Sequence, residues 1–223
     1  MSGRTGITSC HWYAVDWNRN VWTYREHYGS GLDSDQHARE ICKRSHVEDC
    51  QVNQMLSEFD ITNEEHMKML RYADTNCNGK ECEQYQYTVM DSAAWSKLGL
   101  PQSTNEIYEA NGVSGLIPSS KARIMGWDIV HQYLRWEDNE DPKVKFFVTC
   151  PNIIRTLPTL IHDELRPEDV DTKGEDHAAD ELRYFLQTLR DQKSLKPTNK
   201  IEQRIREIKE SEEMERFSYR RNG

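Results

Sequence analysis

The sequence has no apolar run approaching the ~20 residues that a bilayer-spanning helix needs. Its first residues, MSGRTGITSCHWYAVDW, hold no apolar segment of the signal-peptide kind. These two absences set the expectation of a soluble, cytosolic chain with no membrane role. Basic charge is also short: 29 Lys and Arg stand against 38 Asp and Glu, a net charge of −9. That balance excludes a protein that coats nucleic acid over its whole surface, yet leaves room for a local acidic, metal-loaded site that acts on DNA. No G-x-x-x-x-G-K-[ST] phosphate loop is present, and no internal repeat at solenoid periods. The six cysteines include no tight C-x₂-C pair. Without a secretory signal they read as reduced thiols rather than as a disulfide framework. Cys42 and Cys50 flank His46, and Cys77 and Cys82 sit close together in NCNGKEC, the grouping of a four-ligand zinc site. The loose spacing places zinc behind simple unpaired thiols in a variable insertion.

What is present suffices for one domain with a modest core: 223 residues, 36% hydrophobic and 30% charged. Residues 190–223 carry ten Lys and Arg against seven Asp and Glu, a net of +3, which leaves −12 for the rest of the chain. The sign change places a domain over 1–190 and a charged helical tail over 191–223.

Residues 10–28 read as a β-hairpin, with turn chemistry in Asp16-Trp17-Asn18-Arg19-Asn20. A helix follows in DSDQHAREICKRS, capped by Asp33 or Ser34, with Ala38, Ile41 and Cys42 on one face. EFDITNEEHMKMLRYA (58–73) reads as a helix and Gln84–Met90 as a strand ending on Asp91. STNEIYEANGV is a helix that stops at Gly112. In SSKARIMGWDIVHQYLRW, Ile124, Trp127, Val130, Tyr133 and Leu134 recur at helical spacing. VKFFVTC (144–150) reads as a strand closed by Pro151, and NIIRTLPTLIHDEL as a short, proline-broken helical stretch. The last helix opens near Glu175 or Asp176, with Ala178, Ala179, Leu182, Phe185, Leu186 and Leu189 as its buried stripe. A linker and a helix carrying Ile201, Ile205 and Ile208 amid alternating charge complete the chain. The order indicates an α/β fold with a mixed sheet flanked by helices.

Two acidic features stand out. Asp91 ends an apolar strand and is followed by the small residues Ser92-Ala93-Ala94. Strand ends of this kind are where open α/β sheets place their sites, although a helix cap explains the same residue. Asp169, Asp171, Glu175, Asp176, His177 and Asp180 fall within twelve residues. Acids at a helix start interact well with the helix dipole, which accounts for Glu175 and Asp176. Asp180 is different, because it sits in the apolar frame AADELRYF, where an unpaired charge is costly. Hard carboxylate oxygens gathered in this way suit Mg²⁺ or Mn²⁺.

DVDTKGEDHAADELRYFL resembles the C-terminal signature of tailed-phage terminase large subunits, the DNA-packaging motors that cut concatemeric DNA. NVWTYREHYGSGL with QHAREI, YTVMDSAAW, EIYEANGV, IPSSKARIMGW and FFVTCPNIIRTLPTL are similar to further segments of that nuclease domain, in family order, over roughly residues 10–190 apart from a variable stretch at about 45–84. The resemblance implies a ribonuclease H-like fold and an endonuclease that cleaves double-stranded DNA with two divalent cations. It makes Asp91 the acid of the central strand and Asp176 the leading candidate for the acid on the last helix, with His177 or Asp180 completing the second metal site. Lys121, Arg123 and Arg155 are the expected DNA contacts, and Arg183 either joins them or pairs with acids of its own helix. Implied partners are the terminase ATPase part or small subunit and, through the tail, the portal protein. The implied location is the host cytoplasm and, transiently, the procapsid portal.

The resemblance is incomplete at the start. The family's first acid lies on a strand before the hairpin, whereas residues 1–9, MSGRTGITS, contain neither an acid nor a strand pattern. The expectation is a chain that begins inside the domain, without the ATPase half and the first strand. Asp16 offers a substitute acid, but DWNRN matches the hairpin turn. A catalytically incomplete fragment, completed by a partner chain and acting in motor assembly, is therefore the alternative to an active nuclease.

Overall fold

Aromatic and β-branched residues drive β1 (Thr8–Val15) and β2 (Val21–Gly29) into an antiparallel hairpin, as the sequence leads one to expect. Asp16 makes the turn. Its carboxylate accepts from the backbone amides of Asn18 and Asn20 at 2.9 and 2.8 Å, and from the Asn20 side chain at 2.7 Å. The structure, a computed structural model, describes residues 6–16, 18–46, 82–83, 85–97, 99–137 and 140–192. The helices expected at 58–73 and beyond 200, together with Cys50 and Cys77, lie outside the described residues. The chain divides into a unit of residues 1–191 and a second from residue 192 onward, and the described strands and helices all lie in the first.

Helix α1 (Ser34–Arg44) starts at Asp33, whose amide donates to the Gln36 side chain at 2.9 Å, and it buries His37, Ala38, Ile41 and Cys42. Strand β3 (Thr88–Met90) leads into a 3₁₀ turn, Ser92–Trp95. Helix α2 (Thr104–Ala110) is capped reciprocally by Ser103 and Glu106, and Gly112 ends it at φ 89°. Strand β4 (Leu116–Pro118) then lies parallel to β3, so that α2 forms the crossover that parallel strands require. β3 is shorter than the expected 84–90 because β4 offers only three residues to pair with. Tyr85 instead turns its hydroxyl to accept from the Trp12 indole at 3.0 Å. β4 was not expected at all.

Helix α3 (Arg123–Leu134) buries Gly126, Trp127, Ile129, Val130 and Tyr133. The strand expected over 144–150 is confined to β5 (Val144–Phe146), parallel to β2 at Val21–Thr23. Phe147 makes one last bond, its amide donating to the Thr23 carbonyl at 2.9 Å, before the chain turns outward and leaves Val148 exposed. Pro151 opens α4 (Pro151–Thr156), at a position where its missing amide hydrogen costs nothing. A 3₁₀ turn, Leu157–Thr159, follows. Helix α5 (His177–Asp191) buries all six apolar residues of the stripe read from the sequence, together with Arg183 and Gln187.

Alternation along β1 sets the layers. Trp12 packs with Ala38, Ile41, Tyr108 and Val113, joined by Cys10, Met90 and Leu116. Tyr13 points the opposite way and stacks on Phe185 of α5 with ring centroids 3.8 Å apart. The mixed sheet β1-β2-β5 and the two-stranded sheet β3-β4 thus form a middle layer, with α1 and α2 on one face and α5 on the other. The fold is mixed α/β, with five α-helices among the described residues. No helix among them is long and apolar enough to cross a membrane.

Candidate functional site

The end of β3 and the first turn of α5 meet. Asp91 caps the 3₁₀ turn, accepting from the Ala93 amide at 2.9 Å through one oxygen. Its other oxygen accepts from the Tyr184 hydroxyl of α5 at 3.3 Å. The capping role that the sequence allowed is therefore real, and it coexists with a carboxylate turned towards α5. Asp91, His177, Asp180, Glu181 and Tyr184 line one cavity of about 300 Å³. Asp176 lies one turn before Asp180 on the same face, and its carbonyl accepts from the Asp180 amide at 2.8 Å. His177 is exposed and Asp176 buried.

Arg123 of α3 organises the acids. Its Nε donates to Asp169 at 2.7 Å, and Nη1 donates to both oxygens of Asp180 at 3.0 Å. Nη2 is 3.7 Å from Asp176. Asp169 also accepts from the Trp127 indole at 3.0 Å, and Asp180 from Arg183 Nε at 3.1 Å. The titration behaviour follows from this geometry. Burial works against Asp169, yet the Arg123 hydrogen bond holds its carboxyl below the usual range. Burial and then the Asp180 charge push Asp176 above its usual range. The nearby His177 and Arg123 charges offset this only in part. No group of three His, Cys, Asp or Glu side chains stands close enough to hold an ion among the described residues. In donor chemistry the carboxylates suit a hard divalent cation.

Of the cations expected to meet DNA, Lys121 is exposed, whereas Arg123 is committed to the acids. Arg155 forks onto Glu175 at 2.6 and 2.8 Å, and Tyr28 donates to the same carboxylate at 2.6 Å. Arg155 first, then Tyr28, holds Glu175 down to about 2. Arg183 pairs with its own helix and is buried, its guanidinium 5.4 Å from the Trp127 ring centroid. Asp16 lies at the far end of β1 from the cavity-lining residues Ile7–Cys10, roughly 20 Å away at ~3.3 Å per residue. Its carboxylate is spent on the turn. Cys42 is buried in α1 and Cys82 partly buried.

A buried charged network behind the cavity had no place in the sequence reading. His11 Nε2 faces Glu26 at 2.9 Å and Nδ1 faces Glu181 at 2.5 Å. With a carboxylate on each nitrogen, the ring acts as a doubly donating imidazolium. Burial opposes the charge, but Glu181 and then Glu26 outweigh it and raise the imidazole to about 9. Tyr13 also donates to Glu181 at 2.6 Å. Glu26 accepts from the amides of Asn152 and Ile153 at 2.9 Å each, so that it caps α4 from the adjacent strand. The visible signal was a histidine and a glutamate on hairpin strands otherwise rich in apolar residues; their partners lie too far along the chain to be paired by inspection. No family model, curated protein or solved structure matches the chain.

Proposed function

We propose that residues 1–190 are the nuclease domain of a phage terminase large subunit, with a ribonuclease H-like fold, acting as an endonuclease on concatemeric double-stranded DNA. The supporting observation is the meeting of Asp91, from the end of β3, with His177 and Asp180, from the start of α5, at one cavity. The resemblance singles out these segments, and nothing local in the sequence brings them together.

Asp91, Asp176 and Asp180, with His177 beside them, would hold Mg²⁺ or Mn²⁺, which when bound supplies water activation and stabilisation of the leaving oxygen. The chain's own groups prepare that site. Tyr184 orients Asp91, and Arg123, steadied by Asp169 and Trp127, orients Asp180. Lys121 is an accessible cation for a phosphate backbone. The ATPase part, the small subunit and the portal are the proposed partners, and the host cytoplasm the proposed location.

A second reading, an incomplete fragment that works through a partner chain, is favoured by one observation: β1 and β3 line the cavity from two sides without pairing to each other. Nicking of supercoiled plasmid in Mn²⁺ separates the two. The nuclease reading expects cutting by the chain, loss of at least ~100-fold in Asp91→Ala and Asp176→Ala, and full activity in Asp16→Ala. A folded but inert chain sinks it in favour of the fragment.

A further inference from the structure

The cavity is bounded by four consecutive residues of the β1 segment, Ile7–Cys10, and four of the β3 segment, Thr88–Asp91. A strand that presents a face contributes every second residue; consecutive residues mean that the strand presents its edge. Among the described residues β1 pairs only with β2, and β3 only with β4. Thr88 N–H donates to Gly115 and the Met90 carbonyl accepts from Ser119, both at 2.8 Å, so these groups serve β4. The Val89 N–H and C=O therefore point away from β4, towards the cavity. Ser9 Oγ on the opposite edge is buried without a hydrogen-bond partner. One wall of the cavity is apolar, made by Ile41, Tyr108, Val113 and Leu116. The other is hydrophilic, made by His177, Asp180, Glu181 and Tyr184 of α5.

Two edges unpaired among the described residues, one apolar wall and one hydrophilic wall describe the surroundings of a single strand with period-two alternation. A strand residue within a layer between two others takes ~160 Å³, from ~3.3 Å rise, ~4.8 Å spacing and ~10 Å depth. The cavity of about 300 Å³ takes about two such residues as it stands. The remainder of the two four-residue edges would pair with the strand where it leaves the cavity. We propose that the slot between β1 and β3 accepts an extended strand donated by a partner polypeptide. Alternate side chains of that strand are apolar towards α1 and α2 and hydrophilic towards α5. Main-chain hydrogen bonds to both edges supply the affinity, and the alternation supplies the register. The proposal rests on the sheet edges and stands whether or not the site cuts DNA.

The probe is a nine-residue peptide of alternating valine and threonine, added to the full chain while amide hydrogen exchange is followed by NMR. The expected result is slowing of at least tenfold at Val89 and at alternate residues of Ile7–Cys10. The same peptide methylated on its backbone nitrogens should produce none. Equal slowing by the methylated peptide, or no slowing by either, overturns the proposal. Protection that is already full without peptide means that this chain fills its own slot, and protection that grows with protein concentration alone means that a second copy does. Each of these also overturns it.

Discussion

Raising the pH from 7 to 10 should destabilise this protein through one buried ring. His11 sits between Glu26 and Glu181, and its imidazole rises from an ordinary 6.5 to about 9 in the folded chain. A group whose folded pKa is raised contributes stability that is complete below its unfolded pKa and lost as pH climbs through the folded one. The window therefore opens near pH 6.5 and closes above about 9. At ~1.4 kcal/mol per tenfold, the shift corresponds to about 3 kcal/mol, a large part of the margin of a domain this size. Burial also raises the Cys10 thiol, which adds a loss of the same sign in the alkaline range, so wild type must be compared with a variant that lacks only the imidazole. Urea unfolding of wild type and His11→Gln at pH 7, 8, 9 and 10 provides that comparison. The variant starts lower, because Glu26 and Glu181 lose their cation, but its stability should fall by roughly 2.5 kcal/mol less between pH 7 and 10, the rest of the shift being lost already below pH 7. Parallel curves for the two proteins would mean that His11 is neutral in the folded state and that the network has been misread.

Three further outcomes follow from the packing. Glu26→Gln keeps the shape but removes the charge that faces His11 and caps α4, and should cost about 2–3 kcal/mol in urea unfolding while lowering the His11 titration midpoint seen by NMR; an unchanged midpoint would contradict the contact. Gly126→Ala would place a methyl 2.6 Å from Arg183 Cγ and 2.7 Å from Gln187 Cδ, so overpacking of ~1–3 kcal/mol outweighs the ~1 kcal/mol gained in helix propensity and the melting temperature should drop. A rise in melting temperature would show that α3 and α5 part easily at that point. Asp16→Ala removes three turn hydrogen bonds and should cost about 1–2 kcal/mol with no change in plasmid nicking. Lost nicking in a folded variant would return Asp16 to the list of catalytic acids.

Much of the fold was legible wherever a pattern ran long enough to be periodic. The α5 stripe from Ala178 to Leu189 repeats over three turns, and the hairpin has two long strands around a polar turn, so both could be read locally. β4 is three residues ending in proline, and β3 pairs only where β4 exists, so the extent of each depends on the other rather than on its own sequence. β5 stops where the Phe147–Val148 turn leaves the sheet, although FFV continues the apolar pattern. Of the acids and the histidine singled out from sequence, Asp91, His177 and Asp180 line one cavity, and Asp176 lies one turn before Asp180. Their neighbours were less legible: Arg123 and Arg155 were expected as DNA contacts, and each is held by a carboxylate 20 or more residues away. Charge pairing at that separation leaves no mark in spacing. Burial alone distinguishes Arg183 from an exposed arginine, and that depends on the absence of a side chain at Gly126.

Helix α5 touches the hairpin along its whole length. Glu181 meets His11, Phe185 meets Tyr13, and the carbonyls of Leu189 and Arg190 accept from Arg19. A segment tied at three levels has no cheap way to peel from one end. Its central amides, those of Leu182 and Leu186, should exchange with solvent only when the entire domain comes apart. The acids of its first turn consequently share the lifetime of the whole domain.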